Sequence, residues 1–478
     1  MFVQCPTILK AKGLQFLAAG SAALSFLIIG TFGVWPSPTH PKLKESMQTE
    51  VTSDEWAWVI SVMGIGGVIT PVPAAYFGNK LGRKVMLLAC APFFLVAWLL
   101  IIFASSATEL LIARTIGGFG VGIVFSICPV YVAEIAEDKI RGILGTLMQL
   151  LMNIGTLVEF AVGPYVSYKT LGWVSGFFPL LFLVLMSFMP ESPRYHCMKN
   201  KRDRAEASLL KLRGAKNCQD IKEELDQMQK VVEEEMTKKG RPRDLISTKG
   251  TRRALLLMLG LITVQQFGGN MAIMSNAQEI FRTSGGDALD PSISAIIMGI
   301  IQLVVSVVTS FLVDRLGRRI LLLISTIGCA TSLFTLGTYQ YLTLKVGLDT
   351  SHWNWLPLFS LMMFLVSYCL GLGPLPIAYC GEIFSSNVRG LALSIASMML
   401  SFSFIIVTKL YQVVADGAGV YVAFWFFGSI SLAGTLFVYF LLLETKGKSL
   451  ECIVAELNNT DKKLTNESIA VYTIQSIK

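Results

Sequence analysis

A pattern that closes one hydrophobic segment at Gly78–Lys84 (Gly-Asn-Lys-Leu-Gly-Arg-Lys) returns at Val313–Arg319 as Val-Asp-Arg-Leu-Gly-Arg-Arg. Two further signals recur in the same order. Glu134 stands seven residues before Arg141-Gly142, and Glu382 stands seven before Arg389-Gly390. Pro190-Glu-Ser-Pro-Arg194 is answered by Glu444-Thr-Lys-Gly447. The offsets are nearly constant: 235 positions from Gly82 to Gly317, 248 from Arg141 to Arg389 and 253 from Glu191 to Glu444. A chain written twice folds as two similar halves. When it is also strongly hydrophobic, the layout expected is two helical bundles with a ligand site between them.

Composition agrees. With 53% hydrophobic residues, 15% charged residues and a mean hydropathy of +0.60, the chain lies far from soluble globular averages. Apolar stretches of about 20 residues, each able to cross about 30 Å of hydrocarbon, are expected near 14–34, 56–77, 84–104, 109–131, 143–163, 173–189, 255–277, 293–313, 320–342, 356–380, 391–412 and 420–443. The first has no small-residue cleavage site and reads as a retained helix. With both termini inside, 33 basic residues fall on the cytoplasmic side and 5 outside. The long 194–253 loop holds 17 of the 33, and long loops orient weakly, but 16 against 5 remains without it. The net charge of +8 therefore reports topology and asks for no nucleic acid.

The nine cysteines fall in spans or on the inner side, so free thiols are expected. The sequons at Asn458 and Asn466 sit in a tail read as cytosolic. The expected organisation is a first six-helix bundle at 1–193, a cytoplasmic linker at 194–253, a second bundle at 254–450 and a tail at 451–478. The linker carries helical spacing (Ala205, Leu209, Leu212; Ile221, Leu225, Met228) and is either a plain connection or a latch across the halves. The outer loop 35–55 is expected to be extended, because Pro36, Pro38 and Pro41 oppose a helix. The tail after Glu451 is expected to be mobile.

Charges are costly in hydrocarbon and gather at helix ends. Arg83, Glu134 and Arg141 do so in the first half; Asp314, Arg315, Arg318, Glu382 and Arg389 do so in the second. Opposite charges at matching places suggest an inner gate that breaks when the halves rock apart, where ordinary topogenic charge would be basic only. Asn79 stands opposite Asp314 and removes one acid from the first half. Gly117-Gly118-x-Gly120-x-Gly122 resembles a nucleotide loop, but it lies inside a span without a preceding strand, so close helix packing explains it better. Gly371, Gly373, Pro374 and Pro376 break the tenth span near mid-membrane, which is tolerated where a cavity is lined.

Gln149, Gln265, Gln266 and Gln302 lie at similar depth in different spans. Their amides offer the donors and acceptors that a neutral polyhydroxylated ligand needs, although interhelical bonding alone would also explain any one of them. Glu159 is the one carboxylate placed clearly inside a span. It is either a proton-coupling group or a residue in water near the outer interface. The three histidines lie outside the spans, and no catalytic constellation or metal-ligand spacing is present. No enzyme activity, cofactor, metal or obligate protein partner is expected.

Arg114 with Gly118-x-Gly120-x-Gly122, Pro129-Val-Tyr-Val-Ala-Glu134, Pro190-Glu-Ser-Pro-Arg194, Gln265-Gln266 and Asp314-Arg-Leu-Gly-Arg-Arg319 together resemble the sugar porter family of the major facilitator superfamily, over roughly residues 14–450. Ser37-Pro38 and Leu212-Arg213-Gly214 are most similar to its insect trehalose transporter-like branch. The resemblance implies an all-α membrane protein of twelve helices in two six-helix bundles, alternating access, sugar contacts from Gln149, Gln265, Gln266 and Gln302, and an inner gate built from the charged motifs. The second half departs from the family pattern. Met271 holds the family's Asn position, Ser275-Asn276 replaces an aromatic pair, Ile377 replaces Trp, Leu400-Ser401 replaces Asn-Trp, and Leu443 replaces the Pro before Glu444. Asn270 and Asn276 are the polar residues able to substitute. The expectation is a plasma-membrane uniporter for trehalose or a hexose with both termini cytoplasmic, since the first span lacks the carboxylate usual in proton-coupled members. A proton-coupled carrier using Glu159 and a non-transporting sensor of the same fold are the alternatives.

Overall fold

Residues 5–46, 51–137, 140–215, 218–237, 242–283, 290–348, 351–384, 386–448 and 450–458 are described by a computed structural model of the chain. Among these residues, eleven helices are long and apolar enough to cross a membrane, and the pair Ser53–Ile69 and Pro71–Leu81, bent by 46°, passes the same test together as a twelfth. Pro71 at the start of the second piece gives no N–H to the ladder, which accounts for the bend. Two separate apolar cores follow the duplication. One joins the first six spans through residues such as Phe94, Trp98 and Tyr131. The other joins the last six through Leu333, Phe364 and Phe424.

Small residues let the helices touch. A Cβ at Gly118 would overlap the Met63 carbonyl, and one at Gly120 would meet the Phe94 ring. The glycine run therefore serves backbone approach between the second, third and fourth spans. The tenth span breaks as its Gly/Pro content requires, into Leu356–Leu370 and Leu375–Ile383. The seventh breaks too, into Lys249–Phe267 and Asn270–Ser275. Gly269 makes that turn at φ +80°, a conformation that only glycine adopts cheaply.

Two expectations need correction. The outer segment is helical over Pro36–Ser46 rather than extended. Pro36 and Pro38 fall in the first turn, where N–H groups have no intrahelical partner, so only Pro41 costs a bond. Lys42 Nζ donates to the Gly163, Pro164 and Val166 carbonyls and ties the segment to the end of the fifth span. The tail helix Leu450–Asn458 is docked, with Ile453 and Leu457 buried in the second core and the Asn458 amide oxygen accepting from Gly250 N at 2.7 Å. The linker helices form a small core of their own around Ala205, Leu209 and Leu225. They sit on the first half: Leu212 enters its core, and Arg213 Nη1 donates to the Ile135 carbonyl. The later linker turn Pro242–Leu245 meets the second half, with Leu245 in its core. The seven described cysteines are free; the Cys5 and Cys218 side chains and Asn466 lie outside the described residues.

Candidate substrate site and inner charge clusters

The duplication is repeated atom by atom at the inner ends. In the first half Arg83 pairs with Glu134 at 3.1 Å, both side chains nearly inaccessible. In the second, Arg318 pairs with Glu382 at 2.9 Å. Glu191 accepts from Arg83 N and Lys84 N, as Glu444 accepts from Arg318 N and Arg319 N. Ser192 donates to Glu134, as Thr445 donates to Glu382. Tyr131 Oη donates to the Pro190 carbonyl, as Tyr379 Oη donates to that of Leu443. Gly82 and Gly317 turn at φ +117° and +87°, each with its glutamate where a Cβ would stand.

Every ion pair described among these motifs lies within one half. Arg389 Nε donates to the Phe384 carbonyl, Arg141 is exposed at the start of the fifth span, and Arg315 is exposed with its carbonyl accepting from Lys446 Nζ. The Asp314 side chain lies outside the described residues.

At the end away from those clusters the halves, by contrast, meet. Lys409 Nζ pairs with Asp54 at 2.5 Å and sits 4.7 Å from the centre of the Trp58 ring. Ser37 Oγ accepts from Gln278 N at 3.3 Å. Gly64 and Gly67 press on Ser401 and Ile405, and Gly299 presses on Leu157. The chain is thus arranged with the seam packed at the end of the bundles away from the charge clusters.

Below that seam lie the amides. Gln265 Nε2 donates to the Gly373 carbonyl at 2.9 Å, freed by the break in the tenth span. Among the described residues, buried Gln265 Oε1, Asn270 Oδ1 and Gln302 Oε1 have no hydrogen-bond partner, and the buried Tyr368 hydroxyl lies beside the Gln265 and Asn270 side chains. A buried carbonyl oxygen without a donor costs about 1–3 kcal/mol, so each of these oxygens is open to a donor from a ligand. Gln266 is half-buried, beside Gln265 in the same helix. Gln149 Nε2 donates to Asn153 Oδ1 at 3.0 Å. Asn276 is turned to its own helix, its Nδ2 donating to the Ala272 carbonyl.

Asn153 was not foreseen. It is fully buried and donates across the seam to Ser306 Oγ at 2.7 Å and the Gln302 carbonyl at 3.4 Å. The available signal was its place four residues after Gln149, on the same helix face. Glu159 is wholly buried rather than in water; Ser175 Oγ donates to one of its oxygens and the other has no partner. Arg114, also wholly buried, lies close enough to act on it electrostatically and donates to the Val59 and Phe32 carbonyls. Among the described residues, no group of His, Cys, Asp and Glu could hold a metal ion.

The profile of the family described as "Sugar (and other) transporter" matches residues 21–457. The chain belongs to the sugar transporter family. It is a multi-pass membrane transporter, not an enzyme. A facilitated trehalose transporter of Culex quinquefasciatus is 34% identical over 463 residues, covering 96% of this chain and 89% of that protein. One from Polypedilum vanderplanki is 35% identical, covering 95% and 90%. A third, from Anopheles gambiae, is also 35% identical, covering 95% of this chain, which spans 57% of that longer protein's length. The xylose transporter XylE from E. coli, in a partially occluded inward-open conformation, superposes with a TM-score of 0.76, covering 92% of this chain and 100% of that one. At 23% identity that likeness establishes the fold of this sugar transporter.

Proposed function

We propose that the chain carries a neutral sugar, trehalose or a hexose, down its gradient across the plasma membrane, with both termini in the cytoplasm. The reading rests on one observation above others: three buried amide oxygens, on Gln265, Asn270 and Gln302, that lack hydrogen-bond partners among the described residues. Hydroxyl hydrogens of a sugar would supply them without bringing charge into the membrane. Gln149 and Gln266 complete the ring of amides. In this reading Arg83, Glu134, Arg141, Asp314, Arg315, Arg318, Glu382 and Arg389 form the inner gate, whose charges exchange partners as the two bundles rock. The trehalose carriers named above support the substrate class.

A second reading has one observation in its favour. Glu159 is buried with an unbonded oxygen, and Arg114 Nη2 is buried without a partner as well. A proton carried on Glu159 would couple uptake to the pH gradient. Uptake of labelled trehalose and glucose by oocytes at two pH values separates the two. Saturable uptake that is lost in Gln265→Ala and indifferent to pH is the result expected. Acid-stimulated uptake abolished by Glu159→Gln would replace the uniport with a symport. Binding without flux would mean a sensor.

A further inference from the structure

We propose that Asn153 is a positioning residue that sets, from across the seam between the halves, which atom of Gln149 faces the substrate. The proposal rests on the sugar-transport reading. A main-chain carbonyl has no hydrogen to give, and the single hydroxyl hydrogen of Ser306 is donated to the Gln302 carbonyl at 2.7 Å. The Asn153 atom facing both groups must therefore be its NH2. The Asn153 carbonyl oxygen is then turned toward Gln149, and only the Gln149 NH2 can satisfy it, at 3.0 Å. Hydrogen-bond direction is passed from a backbone carbonyl of the eighth span to a side chain of the fifth. At the end of the relay Gln149, half-buried, has its carbonyl oxygen left for a ligand.

Two consequences follow for the site. First, Gln149 joins Gln265, Asn270 and Gln302 in offering acceptors, so sugar hydroxyls act there as donors. Second, the orientation lasts only while the fifth and eighth spans touch. When they part, Asn153 loses Ser306 and the Gln302 carbonyl, and the Gln149 amide is free to turn. The grip of Gln149 on sugar is thereby tied to the packed seam.

A simple staple between two spans would also use Asn153, and a double-mutant cycle separates the roles. Uptake of labelled trehalose and glucose is measured for the wild type, Asn153→Leu, Gln149→Ala and the double variant, with surface protein quantified by biotinylation. Asn153→Leu is expected to raise the half-saturation concentration about tenfold, the equivalent of one lost directed hydrogen bond. In the Gln149→Ala background the same change should do so by less than about twofold. Ser306→Ala, a smaller change that carries the test should Asn153→Leu not reach the surface, should give a lesser rise, again only with Gln149 present. Equal effects in both backgrounds, or a lower maximal rate at unchanged half-saturation, would overturn the role of Asn153 alone. A wild type at the surface with no saturable uptake would overturn the transport reading and this proposal together.

Discussion

Cutting one partner out of a buried ion pair leaves the other charge stranded, which costs about 3–5 kcal/mol, whereas a solvated pair is worth at most about 1 kcal/mol. The two inner pairs differ in this respect. Arg83 and Glu134 have 6% and 7% of their side chains exposed, and Arg318 and Glu382 have 17% and 30%. Arg83→Met should therefore lower the melting temperature in detergent clearly more than Arg318→Met; equal shifts would refute the ranking. The matching glutamates differ as well. Burial pushes the Glu191 carboxyl up, and donors at Ser192, Lys84 and Arg83 offset only part of that. Burial also acts upward on Glu444, but the N–H groups of Lys446, Arg319, Arg318 and Thr445 outweigh it and hold it below its ordinary value. A depressed carboxylate contributes stability above its unfolded pKa and loses it as pH falls through the folded one. Acidification below the ordinary carboxylate range should thus destabilise the protein partly through Glu444, and Glu444→Gln should flatten that acid limb in a thermal-shift series. Glu191 has the opposite sign: its contribution is complete at low pH and fades as pH rises through its raised pKa. The sequence shows opposite charges gathered at matching helix ends of the two halves, but not which acid meets which base, nor that each described pair stays within its own half. Asn153 was not legible in it, since a lone amide in an apolar helix gives no sign of a partner 153 residues away.

At the scale of elements, the sequence pattern failed where tertiary contacts outvoted local preference. Prolines argued against the 36–46 helix, yet only one of the three costs a hydrogen bond, and the Lys42 contacts offset it. The polar tail argued for mobility, but Ile453 and Leu457, four residues apart, present one apolar edge to the second core. The break in the seventh span was available in Gly268-Gly269, where the sequence pattern placed one unbroken span. Gly269 combines a positive φ with a Phe427 ring where a Cβ would stand. Gly269→Ala should therefore cost more than the roughly 1 kcal/mol typical of a left-handed residue, seen as reduced surface expression and a lower melting temperature, while Gly13→Ala, with open space around it, should be neutral.

For the whole molecule, the seam sets the balance between outward and inward openings. Lys409 and Asp54 cross it, but Asp54 is 71% exposed, so the pair and the contact with Trp58 together contribute on the order of 1 kcal/mol. Lys409→Met should shift the equilibrium toward an open outside about fivefold. The check is the labelling rate of a Ser37→Cys reporter by an impermeant maleimide; an unchanged rate would show that glycine packing alone holds the outside shut. The two-bundle architecture was read from the repeat, but which side is closed was not, because both arrangements use the same sequence. The docked tail helix also bears on biogenesis. The first bundle is sealed on its inner face by the linker that leaves the ribosome directly after it. The second bundle anchors the start of its first span through Asn458, some 200 residues later in synthesis. One half can mature while the other is still being made, and the second holds an unfinished inner end until translation is nearly over. The longest-lived immature surface of the nascent chain would then lie around Gly250 and Arg253.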